Sequence, residues 1–274
     1  MPDEMNSICV IDGQHRIYAH YEGPSNDRYE GTISGLRKEL HLLVTGLLFP
    51  SNMPDIVRKQ IQSEIFLDIN DNTKKVAANV LTHIAMIKDP FSDIGIARRV
   101  VERLNKKAVF LNRFELSALD ESKIKVSSII KYALRYLVTL TPAEGKTSLY
   151  SYWNGNRVGL SQKNETDLEA YIEYCAQQLN MYFSAVKEAY IDAWRDDRSK
   201  IFSIASINGF IIALNRQLTK NGVRDYAYYS SCFKKARIDF SNAVFPFASS
   251  QYRKFSTVIL RDAFEFTEEE VNIY

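Results

Sequence analysis

The sequence has few cysteines and histidines, and this scarcity limits the kinds of site it can build. Its 274 residues include three cysteines, Cys9, Cys175 and Cys232, and four histidines. The cysteines form neither a CxxC pair nor another metal-ligand spacing, which argues against a structural zinc site. A sparse, odd number of cysteines is typical of a protein from a reducing compartment rather than of a secreted disulfide scaffold.

Long apolar runs and a strong net charge are also missing. The stretch LHLLVTGLLF, residues 40–49, is shorter than the roughly 18 residues that a membrane span needs. The N-terminus lacks the basic-then-apolar pattern of a signal peptide, so we expect a soluble, cytoplasmic protein without a membrane partner. The formal net charge of +2 gives no strong overall field for nucleic acid, although local basic patches remain compatible with it.

Apolar residues make up 46% of the chain and charged residues 25%, as in an ordinary globular protein of one large domain or two small ones. Short apolar runs predict strands at 8–12 and 38–49, and strand formers are also frequent at 107–116. Helical spacing predicts most of the remainder, in the ranges 55–70, 71–87, 91–106, 125–140, 165–195 and 201–222.

This order of elements predicts an α+β fold with a small N-terminal sheet and a mainly helical C-terminal part. A weak boundary divides residues 1–140 from residues 141–274. Ser51 or Asn52 is expected to cap the helix after Pro54, and Gly222 to end the last of these helices. The abundant Tyr and Phe residues are interpreted as packing between helices, with stacking on nucleic-acid bases as the alternative.

The stretch SICVIDGQHRIYAHY, residues 7–21, places five polar or permissive residues between an apolar run and a helix start. Gly13 permits close approach of a ligand, and the free N–H groups of a helix start attract phosphate. Arg16 can grip phosphate oxygens, Asp12 can hold Mg²⁺ or orient a water, and His15 can act as an acid or base with Gln14 orienting the ligand. The alternative is structural, with Asp12 capping the helix and Arg16 paired to a surface carboxylate.

The string VIDGQHRIYAH resembles the signature of the DGQHR-domain family, which includes DndB-like proteins of bacterial DNA phosphorothioation systems. Two further stretches, IFLDINDNTKKV at 65–76 and SIASINGFIIALNRQL at 203–218, resemble later parts of such proteins. The resemblance implies a ParB/sulfiredoxin-like fold in which a Gly-x-x-Arg turn, here Gly13–Arg16, meets a nucleotide phosphate. It also implies an association with DNA and with control of the modification genes in a defence system.

Other residues are expected to support these sites. Asn70, Lys74 and Lys75 are candidates to reach the phosphate at Arg16, although Asp68 and Asn70 capping the next helix is an equal alternative. A second, basic group of residues is the candidate DNA contact, against the alternative of ordinary solvated helix faces. Its members are Arg216, Lys220, Arg224, Lys234, Lys235 and Arg237.

Only eleven residues precede Asp12, whereas the resemblance leads us to expect strands and a helix before the motif. We therefore expect a truncated form, or a pocket that a partner or a second copy completes. The leading hypothesis is a regulatory, DndB-like protein that binds a nucleotide or a DNA phosphate at Asp12–Arg16. Two alternatives remain open: a non-catalytic interaction subunit, and a Mg²⁺-dependent NTPase resembling GmrSD-type restriction proteins, with a nucleoside triphosphate as cofactor.

Overall fold

The computed structural model describes residues 10–11, 17–24, 27–39, 41, 46–71, 78–116, 120 and 123–272. The described chain is mainly helical, with 64% helix and a two-stranded parallel sheet near residues 114–125. It divides into two compact units, Met1–Val76 and Ala77–Tyr274. The predicted boundary between residues 140 and 141 falls inside the second unit.

The described part of the first unit contains a helical turn at Ile17 and Tyr18 and two longer helices, α1 (Glu30–Glu39) and α2 (Asp55–Asp71). The side chain of Arg37 joins α1 to the preceding loop, because it pairs with Glu30 and donates to the backbone oxygen of Tyr21. None of the residues described in this unit is buried. The large hydrophobic core of the protein therefore belongs to the second unit.

The second unit begins with α3 (Ala78–Lys88), α4 (Asp93–Leu104), β1 (Phe114–Glu115) and β2 (Ile124–Lys125). A helical run over residues 126–138, called α5, follows in three pieces, of which the middle one, Ile130–Leu134, is π-helical. The later helices are α6 (Arg157–Ser161), α7 (Glu165–Ala189), α8 (Ile191–Arg195), α9 (Ile204–Asn221), α10 (Tyr226–Lys235), α11 (Tyr252–Asp262) and α12 (Glu268–Asn272). Single 3-10 turns lie at Leu149–Tyr152, Lys200–Phe202 and Ser249–Gln251.

Helix α9 lies at the centre of the second unit. Its N-cap, Ser203, accepts a hydrogen bond from Ser206 N, and the helix ends at Gly222 in the left-handed region with φ 72°. Residues 205–211 are buried without interruption, so this half of the helix is covered on all sides. It packs against α11 and against α5, and aromatic rings from several helices meet around Phe210.

A row of ion pairs joins α4 to α7 along their exposed edges. Glu169 pairs with both Arg99 and Arg103, and Lys107 Nζ lies 2.7 Å from Glu173 Oε1. Lys107 donates to Glu173 and lowers the pKa of that carboxyl, with help from Gln177. These contacts fix the side-by-side packing of the two helices above their shared apolar core.

Several sequence-based predictions are confirmed in this fold. Helix α4 carries the predicted apolar stripe, α2 follows Pro54 as expected, and α9 ends before Gly222 as predicted. Most of the aromatic residues pack within the core, as predicted when they were interpreted as packing between helices. No described helix is long and apolar enough to cross a bilayer.

The described sheet lies near residues 114–125, and its first strand falls within the stretch 107–116 in which strand formers are frequent. Of the predicted strands at 8–12 and 38–49, residues 8–9, 12, 40 and 42–45 lie outside the described residues. Val10, Ile11, His41 and residues 46–49 are irregular. Lys38 and Glu39 belong to the end of α1, so the start of the second predicted strand is wrong. The pairing instead joins Phe114 to Ile124 and Glu115 to Lys125. The side chain of buried Asn105 accepts a hydrogen bond from Phe114 N at 3.0 Å, which ties β1 to the end of α4.

Candidate functional site

The predicted phosphate turn, Asp12–Arg16, lies outside the described residues, as do Lys74 and Lys75. The residues after the turn are described: Ile17 and Tyr18 are helical, and His20 N donates to Ile17 O at 3.0 Å. A helical turn directly after Arg16 agrees with the expected passage from an apolar run through a polar turn into a helix.

Asp68 and Asn70 lie in the last turn of α2, which ends at Asp71. The next described helix, α3, begins at Ala78, and residues 72–77 before it lie outside the described residues. The capping alternative therefore stays a prediction. The predicted reach of Asn70 towards a phosphate stays a prediction.

The six candidate DNA-contact residues are described, and most of them have partners within the protein. Arg216 Nη2 donates to the backbone oxygens of Glu270 at 2.9 Å and Val271 at 2.7 Å. Lys220 Nζ lies 2.5 Å from Glu270 Oε1, which lowers the pKa of the Glu270 carboxyl. Arg216 and Lys220 therefore bind α12 to α9, and this is a sufficient structural role for both.

The two lysines at the end of α10 also form ion pairs. Lys234 Nζ lies 2.8 Å from Glu188 Oε1, and Lys235 Nζ lies 3.1 Å from Glu265 Oε1. Glu188 also accepts hydrogen bonds from Tyr226 and Ser230. Lys234, with the largest effect, and these two hydroxyl groups together lower the pKa of the Glu188 carboxyl from 4.5 to about 2. Exposed ion pairs of this kind are weak, so α10 remains available to an anionic ligand.

Arg224 and Arg237 differ from the other four cations. The guanidinium of Arg224 stacks over the Tyr228 ring, 5.4 Å from its centroid. Arg237 lines an open cleft of about 630 Å³ between the end of α7, α8 and the extended segment 237–241. Asp192, Asp196 and Asp239 line the same cleft, so its carboxylates disfavour a nucleic-acid backbone there.

A second group of aromatic and basic side chains gathers where α5 meets the start of α11. The rings of Tyr132 and Tyr252 are stacked, with centroids 5.4 Å apart and an interplanar angle of 27°. Tyr136 lies one turn further along α5 and is 56% exposed, while Tyr132 is 39% exposed. We call this surface the tyrosine patch. It comprises Tyr132, Tyr136, Tyr252 and Lys131, together with Arg253 and Lys254, which are exposed and follow Tyr252 directly in the sequence.

Buried titratable groups of the core have environments that keep them neutral. Burial raises the pKa of the Cys175 thiol and of the Tyr171 and Tyr182 hydroxyls. Both tyrosines donate to backbone oxygens, Tyr171 to Val138 and Tyr182 to Phe210. These groups stabilise packing rather than form a nucleophilic site, and the described residues include no cluster of His, Cys, Asp or Glu able to hold a metal ion.

Comparison with known proteins gave no match to a family model, a curated protein or a solved structure.

The tyrosine patch is the surface that the sequence-based interpretation missed. The segment KYALRY, residues 131–136, repeats a basic–aromatic pair at an interval of four residues, which places both pairs on one side of a helix. The apolar spacing of Ile129, Ile130 and Leu134 predicted the helix but said nothing of the polar side. The stacking partner, Tyr252, comes from more than a hundred residues away, and no local pattern identifies it.

Proposed function

We propose that the protein is a DGQHR-type, DndB-like regulator in a bacterial, cytoplasmic DNA-modification or defence system. In this proposal the turn Asp12–Arg16 binds the phosphate of a nucleotide or of DNA. The observation that carries it is the complete five-residue motif placed between an apolar run and a helical turn that begins by Ile17.

Each residue of the turn has a chemical role in the proposal. Gly13 allows the backbone to approach the phosphate, and Arg16 grips two of its oxygens. Gln14 and His15 orient the bound group, while Asp12 holds Mg²⁺ or a water. Asn70, Lys74 and Lys75 add a polar and positive surround. We further propose that the fold around the turn is ParB/sulfiredoxin-like, as the resemblance implies. The same proposal includes the hydrolysis of a bound nucleoside triphosphate at the turn.

A thermal-shift screen tests the proposal with ATP, GTP, CTP, each with and without Mg²⁺, and with short duplex DNA. A ligand that binds only the folded state raises its melting temperature by mass action. We expect at least one of these ligands to stabilise the wild-type protein and to have no effect on Arg16→Ala. The control is Arg28→Ala, an exposed arginine that stacks on Tyr29. Loss of the shift in both variants, or in neither, would contradict a site at the turn.

Release of inorganic phosphate separates an NTPase from a binding protein. If Mg²⁺-dependent release occurs and Asp12→Asn or His15→Ala abolishes it while nucleotide binding persists, the turn is catalytic. Binding without release assigns a regulatory role.

The first unit also supports a second candidate function, that of an interaction subunit whose partner is another modification protein or a second copy. None of its described residues is buried, yet Leu36 is 50% exposed and Leu48 99% exposed. Apolar surface of this kind is typical of a face that another chain covers. Light scattering after size exclusion measures the assembly state, and a stable, strictly monomeric protein alone and with candidate partners would count against this function.

A further inference from the structure

We propose that the tyrosine patch is a binding surface for single-stranded nucleic acid. The patch consists of residues of the second unit and shares none with the turn at Asp12–Arg16, so its test does not depend on that turn.

The first argument is the aromatic platform. Single strands bind where bases stack on exposed aromatic rings next to cations that follow the backbone. Tyr132 and Tyr136 expose their rings one turn apart on α5, and Tyr252 stacks against Tyr132. Most other tyrosines and phenylalanines of the second unit are enclosed in the core, so this exposed set is not the ordinary packing of the protein.

The second argument is that the platform is rigid. Nε and Nη2 of Arg135 each lie 2.8 Å from Asp93 Oδ2. The Arg135 guanidinium lies over the Tyr136 ring, 5.3 Å from its centroid. The ion pair holds the arginine, and the arginine in turn supports the ring. Tyr132 belongs to the π-helical piece of α5, a local departure from the α-helix that is frequent at functional sites. A ring that is already held in place loses little entropy when a base stacks on it.

The third argument is the charge around the rings. Lys131, Arg253 and Lys254 are exposed, and none of the three forms an ion pair with a residue that the structure describes. Lys131 Nζ lies 5.4 Å from the centroid of the Tyr132 ring. The six cations predicted from the sequence as DNA contacts differ from these three, because four of the six are bound to carboxylates or backbone oxygens. Free cations beside exposed rings complement a phosphate backbone with unstacked bases.

A single strand is the ligand that fits this arrangement. In a duplex the bases are stacked on each other and their faces are unavailable to tyrosine rings. A duplex would therefore meet only the cations, while a single strand can use the cations and the rings together. The patch is expected to accept many sequences, because every base has a face that stacks.

The test is fluorescence anisotropy with a labelled oligothymidine of about 15 nucleotides, a length that covers the usual site of such surfaces. We expect the full-length protein to bind it more tightly than the matched duplex. Tyr136→Ala should weaken binding by about five- to hundredfold, the range found when stacking aromatic residues are truncated. Tyr136→Phe keeps the stacking ring and should bind as the wild type does.

The cations have their own signature in the salt dependence. Three phosphate contacts predict a slope of log K against log salt of about −2 for a single strand, and Lys131→Gln should reduce its magnitude by about 0.7. Arg195→Gln removes the same charge from the exposed end of α8 and should leave both affinity and slope unchanged.

Three results would overturn the proposal. One is the absence of an anisotropy change with the oligothymidine, as expected if the rings serve a protein partner instead. Another is equal binding by the wild type and Tyr136→Ala. The third is an equal loss in Arg195→Gln and Lys131→Gln, which would mean general electrostatic attraction. Circular dichroism of each variant checks that a loss of affinity is not a loss of fold.

Discussion

Helices α9 and α11 pack closely at Gly209, where the absence of a side chain makes room for the Phe255 ring. A Cβ atom at this position would overlap Cδ1 of that ring, and it would lie 3.2 Å from the backbone oxygen of Tyr252. Phe255 is fully buried. The rings of Phe245 and Phe247 lie 5.2 Å from it, so the ring has little space to move aside.

The expected effect of Gly209→Ala is the sum of two opposing contributions. Alanine is favoured over glycine in a helix interior by about 1 kcal/mol. Extra volume in a well-packed core costs about 1–3 kcal/mol, and the confined ring places this substitution near the upper end. The net effect is a loss of about 2 kcal/mol, which for a unit of this size lowers the melting temperature by about 4–8 °C.

Thermal denaturation followed by circular dichroism measures this loss, and two further variants identify its cause. Gly35→Ala on α1 is the matched control, because nothing lies within 4 Å of the added Cβ, and it should not lower the melting temperature. Phe255→Leu makes room at the contact, so the double variant should be about 1 kcal/mol more stable than additivity predicts. An unchanged or raised melting temperature in Gly209→Ala would refute the packing described for α9 and α11.

Three further predictions concern polar groups of the second unit. Neither amide atom of buried Asn208 has a hydrogen-bond partner among the residues that the structure describes, so Asn208→Leu should stabilise the protein by about 1 kcal/mol. Asn215→Leu loses a hydrogen bond to a backbone oxygen and should destabilise the protein by about the same amount, and chemical denaturation measures both changes. Glu169→Gln removes two ion pairs between α4 and α7 and should cost about 0.5–1 kcal/mol at low salt, a loss that 1 M NaCl should largely remove. The pKa of the Glu188 carboxyl is lowered, so the ionised carboxylate contributes its full stabilisation above about pH 4.5. This contribution disappears as the pH falls towards about 2. A plot of stability against pH should therefore be flatter for Glu188→Gln than for the wild type over this interval.

Helices with a clear apolar stripe could be predicted from the sequence. The stripe of α4 and the glycine after α9 are local signals, and the structure confirms both. The predicted helix at 165–195 is instead two helices, since α7 ends at Ala189 and α8 begins at Ile191. At the break, Tyr190 has a non-helical backbone, its hydroxyl donates to Ala236 O, and its ring packs on Phe240. These contacts arise only in the folded chain.

The candidate sites divide in the same way. A motif of consecutive residues such as Asp12–Arg16 can be recognised from sequence alone, and its role stays a prediction. The basic residues of α9 and α10 could be identified as cations but not as partners of Glu270 and Glu188, because pairing depends on how distant helices pack. The stacking of Tyr252 on Tyr132 depends on tertiary packing in the same manner.

Isothermal titration of ATP, GTP, CTP and short duplex DNA, with Mg²⁺, into the wild-type protein is the most direct test of a phosphate site at Asp12–Arg16. Arg16→Ala and Arg28→Ala are titrated in parallel. We predict saturable binding of at least one ligand by the wild type and by Arg28→Ala, with binding abolished in Arg16→Ala. Equal affinity in all three proteins, or no binding of any of these ligands by a cooperatively folded wild type, would contradict the proposed function.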